Sequence, residues 1–279
     1  MKGDERMLAA GKESEKETVK VDKGDHEKLS EDGSERISED DKGSMSENKK
    51  ESILEDGVER RVEDLKRELA KKDAVATYRC LQNDPIVLKD LCDIMEYDPS
   101  ALKYQAQKVV MEFAKHQPLE VFAYHDRCKR LLHHENAFLR YGMISIIAML
   151  MQVGNQEMAA CFRECYMENL MTQEIAAFGN TIKGMPALLQ WFPKEEKKLL
   201  ICAQNIENHV FYHHGQISIP CQMVARRQIL GFLKDWFCKS AYPKEWKDFI
   251  YECAMCQEDK VQKAAKQVMR MLNKKVIKE

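Results

Sequence analysis

The chain has 279 residues, with 44 Lys plus Arg against 46 Asp plus Glu and a formal net charge of −2. That balance hides an asymmetry: residues 1–72 hold 17 basic and 22 acidic side chains, and the remainder holds 27 and 24. A body net of +3 is too small for a domain built mainly to bind nucleic acid, and no run approaches the roughly 18 uncharged apolar residues of a membrane-spanning helix.

The first ten residues lack the apolar stretch of a secretory leader. Ten cysteines are scattered through amphipathic segments and not at turns, which suits free thiols in a reducing, cytoplasmic setting. Residues 1–52 are charged and rich in Ser and Gly, and carry no aromatic side chain. They offer too little apolar surface to offset the entropy of ordering, so a disordered arm is expected. Its Ser-acidic steps, such as Ser30-Glu31-Asp32 and Ser38-Glu39-Asp40, suit either a plain solvating tail or acid-directed phosphorylation.

Over residues 53–72, Val58, Val62, Leu65 and Leu69 recur at spacings of 4, 3 and 4 and share one helical face. The stretch is too short for a coiled coil and reads as a capping helix for the domain C-terminal to it, or as a partner-binding helix. That domain, residues 73–279, carries an internal repeat. Leu102 is followed by Ala106, Val110 and Phe113; Leu139 by Met143, Ile147 and Leu150; Val261 by Ala265, Met269 and Leu272. A poorer copy starts at Gln222, with Ala225, Leu230 and Leu233, and a degraded unit near Asn180, with Leu188 and Trp191, fills the wide central interval. Small residues Gly142, Ala225 and Ala264 stand three residues after the start of three copies, where the first copy has Gln105. Asp98-Pro99-Ser100 marks an inter-helix turn, and Pro118, Pro193 and Pro243 suit the first turn of helices.

A period of about 37 to 42 residues, made of two amphipathic helices, resembles the HEAT and armadillo repeats, whose second helices carry this apolar and small-residue pattern. The resemblance implies an all-α, right-handed α-solenoid of about five helix pairs over roughly residues 73–275, preceded by the arm. It implies that the second helices line one long curved surface. On that surface Lys103, Gln107, Arg140, Arg226, Arg227, Lys263, Lys266 and Arg270 are the candidate contacts.

Other chemistry is weaker. Cys253-Ala254-Met255-Cys256 is a CxxC without the second pair or the turn of a zinc knuckle, and reads as core. His209 and His213 would share a face as a two-ligand metal patch if one helix ran through both. His134-Glu135 looks like one step of the diiron HEAT-fold deoxyhypusine hydroxylases, which use several. Asp235-Trp236 and Trp246-Lys247-Asp248 look like the base-gripping tryptophans and carboxylate of HEAT-like alkylbase glycosylases, but suit packing between repeats equally well. No phosphate loop, nucleophile elbow or paired-carboxylate motif is present. The expectation is a non-enzymatic scaffold without cofactor or metal that binds a protein or peptide. The alternative is a nucleic-acid-binding or repair protein using the basic end, Lys260 to Lys278. The sequence sets no oligomeric state.

Overall fold

The computed structural model describes residues 47–213 and 215–276. Residues 1–46 of the expected disordered arm, with its Ser-acidic steps, lie outside the described residues, as does Lys278.

Two helices come first. α1 (Glu47–Ala70) is longer than the sequence pattern suggests, beginning six residues ahead of the expected start. Leu65 and Leu69 on it are buried, while Val58 is 48% exposed. Arg61 pairs with Asp90 at 2.8 Å and Lys66 with Asp98 at 3.3 Å, so the second half of α1 is tied down along the helix that holds these carboxylates or ends at them. α2 (Ala74–Leu81) is capped by Asp73, whose Oδ1 accepts from the Ala76 N–H at 3.0 Å.

Five helix pairs come next. They are α3 (Val87–Tyr97) with α4 (Leu102–His116); α5 (Pro118–Phe122) and α6 (His125–Leu132) with α7 (Ala137–Val153); α8 (Gln156–Glu168) with α9 (Ile175–Leu189); α10 (Glu196–Gln204) with α11 (Ile219–Trp236); and α12 (Pro243–Met255) with α13 (Asp259–Val276). The prolines read as helix openers stand where a missing N–H costs no bond: Pro118 and Pro243 open α5 and α12, and Pro193 opens the 3-10 turn leading into α10. In the first inter-helix turn, Asp98 accepts from the Ser100 N–H and Ser100 Oγ from the Leu102 N–H.

The second helices stack in chain order, α4 on α7, α7 on α9, α9 on α11 and α11 on α13. Each buries its repeated apolar stripe between neighbours: Leu139, Met143, Ile147 and Leu150 of α7 are fully enclosed, and buried apolar side chains form one cluster from Leu65 to Val268. This is the all-α repeat stack of five pairs that the sequence implies. It begins at Val87, however, because the residues after Asp73 form α2, which packs on α4 outside the pairs.

The degraded central unit needs a correction. In α9 the buried set is Ala177, Thr181, Met185 and Leu188, one turn earlier than a unit starting at Asn180. Trp191 lies beyond the helix. The interval to the next unit is correspondingly wide, because a 3-10 turn (Ile206–Asn208) and a small antiparallel hairpin, β1 (Tyr212–His213) with β2 (Gln216–Ile217), intervene before α11. Gly215, at φ +76, turns that hairpin.

The first helices form the other layer and are cross-linked by ion pairs. Arg127 and Arg130 on α6 pair with Asp93 and Glu96 on α3, and Arg163 on α8 reaches Glu195 ahead of α10 at 3.9 Å. Burial alone would raise the Asp93 carboxyl, but hydrogen bonds from Arg127 and Lys89 outweigh it and hold the group below its ordinary range. Among the described residues no helix is long and apolar enough to cross a membrane.

Two glycines make the packing testable. A Cβ on Gly184 of α9 would meet Tyr166 Oη at 2.2 Å and Ala148 Cβ at 2.5 Å, whereas one on Gly231 of α11 would meet nothing within 4 Å. Gly184→Ala is expected to destabilise the chain by about 1–3 kcal/mol through overpacking. Gly231→Ala is expected to stabilise it by about 0.5–1 kcal/mol through helix propensity. Denaturant unfolding of the two variants reads the opposite signs.

Candidate functional site

The second helices turn their unburied residues to one side of the stack, and there α7, α9 and the end of α11 enclose a depression of about 570 Å³. Helix spacing selects the lining. Ser145, Ala148, Met149 and Gln152 recur at three- and four-residue steps on α7, and Asn180, Lys183, Ala187 and Gln190 do the same from α9. Asp235, Trp236 and Lys239 close the far side at the end of α11 and in the 3-10 turn after it. Pro186, inside α9, also lines the groove and withholds the N–H that the Ile182 carbonyl would accept.

The groove is held open by groups that finish the helices around it. The Gln190 side-chain amide donates to the Met151 carbonyl at 3.0 Å and the Trp191 indole donates to the same carbonyl at 2.7 Å, so the end of α7 is satisfied from the next unit. Trp236 stacks on Phe232 with ring centroids 5.9 Å apart, and Lys239 Nζ lies 5.9 Å from the centre of the Trp236 ring. A second depression, about 420 Å³ and mostly apolar, lies between the end of α8 and α10, lined by Met167, Leu170, Met171, Ile201, Cys202 and His209.

The sequence-derived contacts separate into groups that the pattern did not distinguish. Gln107 is buried and donates to the Leu139 carbonyl at 2.7 Å, lying where a Cβ on Gly142 would collide with it. Arg226 is 2% exposed, with Glu207 at 2.6 Å and Glu252 at 3.0 Å on its guanidinium and the Cys253 sulfur 3.8 Å away. Neither is a surface contact: Gln107 locks α4 to α7, and Arg226 ties α11 to α12 and to the turn after α10. Arg140 donates to the His134 and Glu135 carbonyls and pairs with Glu174, bridging α7 to the start of α9. Lys103 and Arg227 are half-buried, while Lys263, Lys266 and Arg270 are exposed on α13. The structure brings none of the eight into the groove.

The weaker chemical motifs resolve as well. Cys253 is buried, and burial pushes its thiol up to about 12 despite Arg226 beside it, so it stays protonated at neutral pH. Cys256 Sγ donates to the Glu258 carbonyl. His209 and His213 do not share a helix: α10 ends at Gln204, His209 bonds the Thr172 carbonyl through Nε2 at 2.7 Å, and His213 belongs to β1. His134 accepts the Asn136 N–H in the turn before α7. Trp246 is fully enclosed, its indole donating to Glu196 Oε1 at 2.8 Å while Glu196 Oε2 accepts from the Ala241 N–H at 3.0 Å. It is a packing residue and cannot grip a base. No group of three or more potential metal ligands occurs among the described residues.

Because Arg226 is internal, Arg226→Met is expected to lower stability by about 1–3 kcal/mol, the cost of its lost charged hydrogen bonds, and to leave partner affinity unchanged. Thermal unfolding and partner titration of this one variant check both halves.

No family model and no curated protein matches the sequence. Solved structures similar to the chain include a designed armadillo repeat protein in complex with the peptide (KR)4, at 10% identity, covering 78% of this chain and 93% of that one, with a TM-score of 0.47. Another designed armadillo repeat protein has 11% identity, covers 82% of this chain and 96% of its own, and has a TM-score of 0.43. A third group, computationally designed armadillo repeat proteins for modular peptide recognition, has 12% identity, coverages of 75% and 98%, and a TM-score of 0.42. By its own stacked helix pairs, the chain is an all-α helical-repeat protein.

Proposed function

We propose that the chain is a non-enzymatic scaffold that holds a segment of a protein partner, or a peptide, in the groove across α7, α9 and α11. The observation that carries this reading is the groove itself. Three consecutive second helices leave about 570 Å³ unfilled, within the usual range of ligand clefts. Its walls are apolar, from Ala148, Met149, Pro186 and Ala187, and its rim is polar, from Gln152, Asn180 and Lys183. Apolar walls with a few placed polar groups match the make-up of recognition sites in general. A reducing, cytoplasmic location belongs to the same proposal and is supported by ten cysteines scattered through amphipathic segments.

One observation favours a second reading. Lys260, Lys263, Lys266 and Arg270 succeed one another at steps of 3, 3 and 4 along α13, all exposed, and form a basic strip that could meet about four phosphates. Nucleic-acid binding through that strip would weaken with salt at a log–log slope of about −3 to −4. Trp246 is buried and takes no part in base gripping, whereas Asp235 and Trp236, the other half of that motif, line the groove.

The groove reading is tested by affinity capture from the native cell with the full chain, its Asn180→Trp variant and its Glu164→Trp variant. Asn180 lines the groove, while Glu164 stands exposed on α8. The expected result is that Asn180→Trp loses the partners that both the parent chain and Glu164→Trp retain, with thermal unfolding unchanged. Partners kept by Asn180→Trp and lost at high salt would favour the α13 strip instead.

A further inference from the structure

The net charge of the body is not shared evenly between the two layers. Over the first four pairs, the second helices α4, α7, α9 and α11 hold eight basic and two acidic side chains. The first helices α3, α5, α6, α8 and α10 hold seven and nine. In the first-helix layer cations are matched across helices by carboxylates, Arg127 by Asp93 and Arg130 by Glu96. The second-helix layer lacks that supply. Arg140 and Arg226 are used inside the stack, and Lys115 is met by Glu112. Lys108 and Lys183 are exposed and enter no ion pair among the described residues.

These two lysines occupy one register position. Lys108, Ser145 and Lys183 stand six residues after Leu102, Leu139 and Ala177, which open the repeated stripes of α4, α7 and α9. Successive copies of one position on stacked helices form a row across the stack. Ser145 and Lys183 line the groove, so the row carries it on to α4. Two interaxial steps separate α4 from α9, about 16–20 Å. The floor between the lysines is uncharged, made by Ala148, Met149 and Ala187. Asp235 and Lys239, at the far end of the groove, cancel in charge.

We infer that the groove's partner is an acidic protein segment lying extended across α4, α7 and α9, with one carboxylate at Lys108, another at Lys183 and apolar residues between them. The layer that is rich in unmatched cations fits a partner of opposite charge. An extended chain rises about 3.3 Å per residue, so the two acids stand roughly five or six residues apart. A nucleic-acid strand fits the row less well. It carries a charge about every 3.4 Å and would lay several phosphates over the uncharged floor. The inference rests on the groove being the partner site, and the test separates the two claims.

Fluorescein-labelled dodecapeptide pools, whose apolar centre is flanked on both sides by Glu, by Gln or by Lys, are titrated by anisotropy against the full chain at low salt. A labelled thymidine dodecanucleotide is titrated beside them. The same titrations are run with Lys108→Gln, Lys183→Gln, their double variant, Asn180→Trp, and Lys197→Gln, which removes an exposed lysine of α10 in the other layer. The Glu pool is expected to bind about fivefold or more tightly than the Gln pool, and each single variant at Lys108 or Lys183 to lose about two- to fivefold, as exposed ion pairs are worth. The double variant is expected to erase the preference, and Lys197→Gln to leave it intact. Equal binding of the Glu and Gln pools, both blocked by Asn180→Trp, would overturn the acidic partner and leave the groove reading standing. So would an effect of Lys197→Gln as large as that of Lys108→Gln, since charge anywhere on the chain would then suffice. Failure of every peptide pool to bind, or tighter binding of the oligonucleotide that is lost in the double variant, would overturn it as well. A Glu preference that needs Lys108 and Lys183 but is indifferent to Asn180→Trp would keep the acidic partner and remove the groove reading.

Discussion

Three helices cross at Gly184. α7 brings Ala148 and α8 brings Tyr166 to within a distance that leaves no room for a Cβ on α9, and the Tyr166 hydroxyl donates to the Thr181 carbonyl at 3.2 Å in the same place. Gly142 and Gly179 relax the neighbouring crossings, where the side-chain amides of Gln107 and Gln228 lie over them. The close approach of second helices depends on these positions, and the continuity of the core depends on that approach, because a repeat unit buries its apolar face against its neighbours. A side chain at Gly184 would push α7 from α9 at the middle of the stack and at the floor of the groove together.

The two layers divide the physical work. The second helices carry the apolar stripe, with Leu139, Met143, Ile147, Leu150, Phe178, Leu188, Ile229 and Leu233 all at or near zero exposure. The first helices are cross-linked by Arg127 with Asp93, Arg130 with Glu96 and Arg163 with Glu195, which are half-exposed and worth little each in stability. Polar groups inside the stack are used as locks. Gln107, Thr181, Glu196 and Arg226 each meet a specific acceptor or donor on their own or a neighbouring element.

Much of the architecture is legible from the sequence for a physical reason: a helix that must bury one stripe repeats its apolar residues, and the copies at Leu102, Leu139, Gln222 and Val261 fall on α4, α7, α11 and α13. The copy in α9 is displaced by one turn from its expected register because the small Ala177 stands where Leu102, Leu139 and Val261 open other copies. The site is much less legible. Ser145, Asn180, Lys183 and Lys239 are unremarkable polar residues on separate helices, and stacking alone brings them together. Polarity places Gln107 and Arg226 on the surface because it does not report direction. A signal of their burial exists: Gln107 lies three and seven residues before the buried Val110 and Ala114, and Arg226 three and seven before the buried Ile229 and Leu233, which puts both within the apolar stripe.

The proposed partner site, the groove between α7, α9 and α11, and its alternative, the basic strip of α13, carry different lysines. Lysine acetylation of the full chain, free and saturated with its captured partner, distinguishes them in a single mass-spectrometric footprint. The account predicts that Lys183 and Lys239 become protected while Lys260, Lys263 and Lys266 react as before. Protection of the α13 lysines, with Lys183 and Lys239 still reactive, would contradict it.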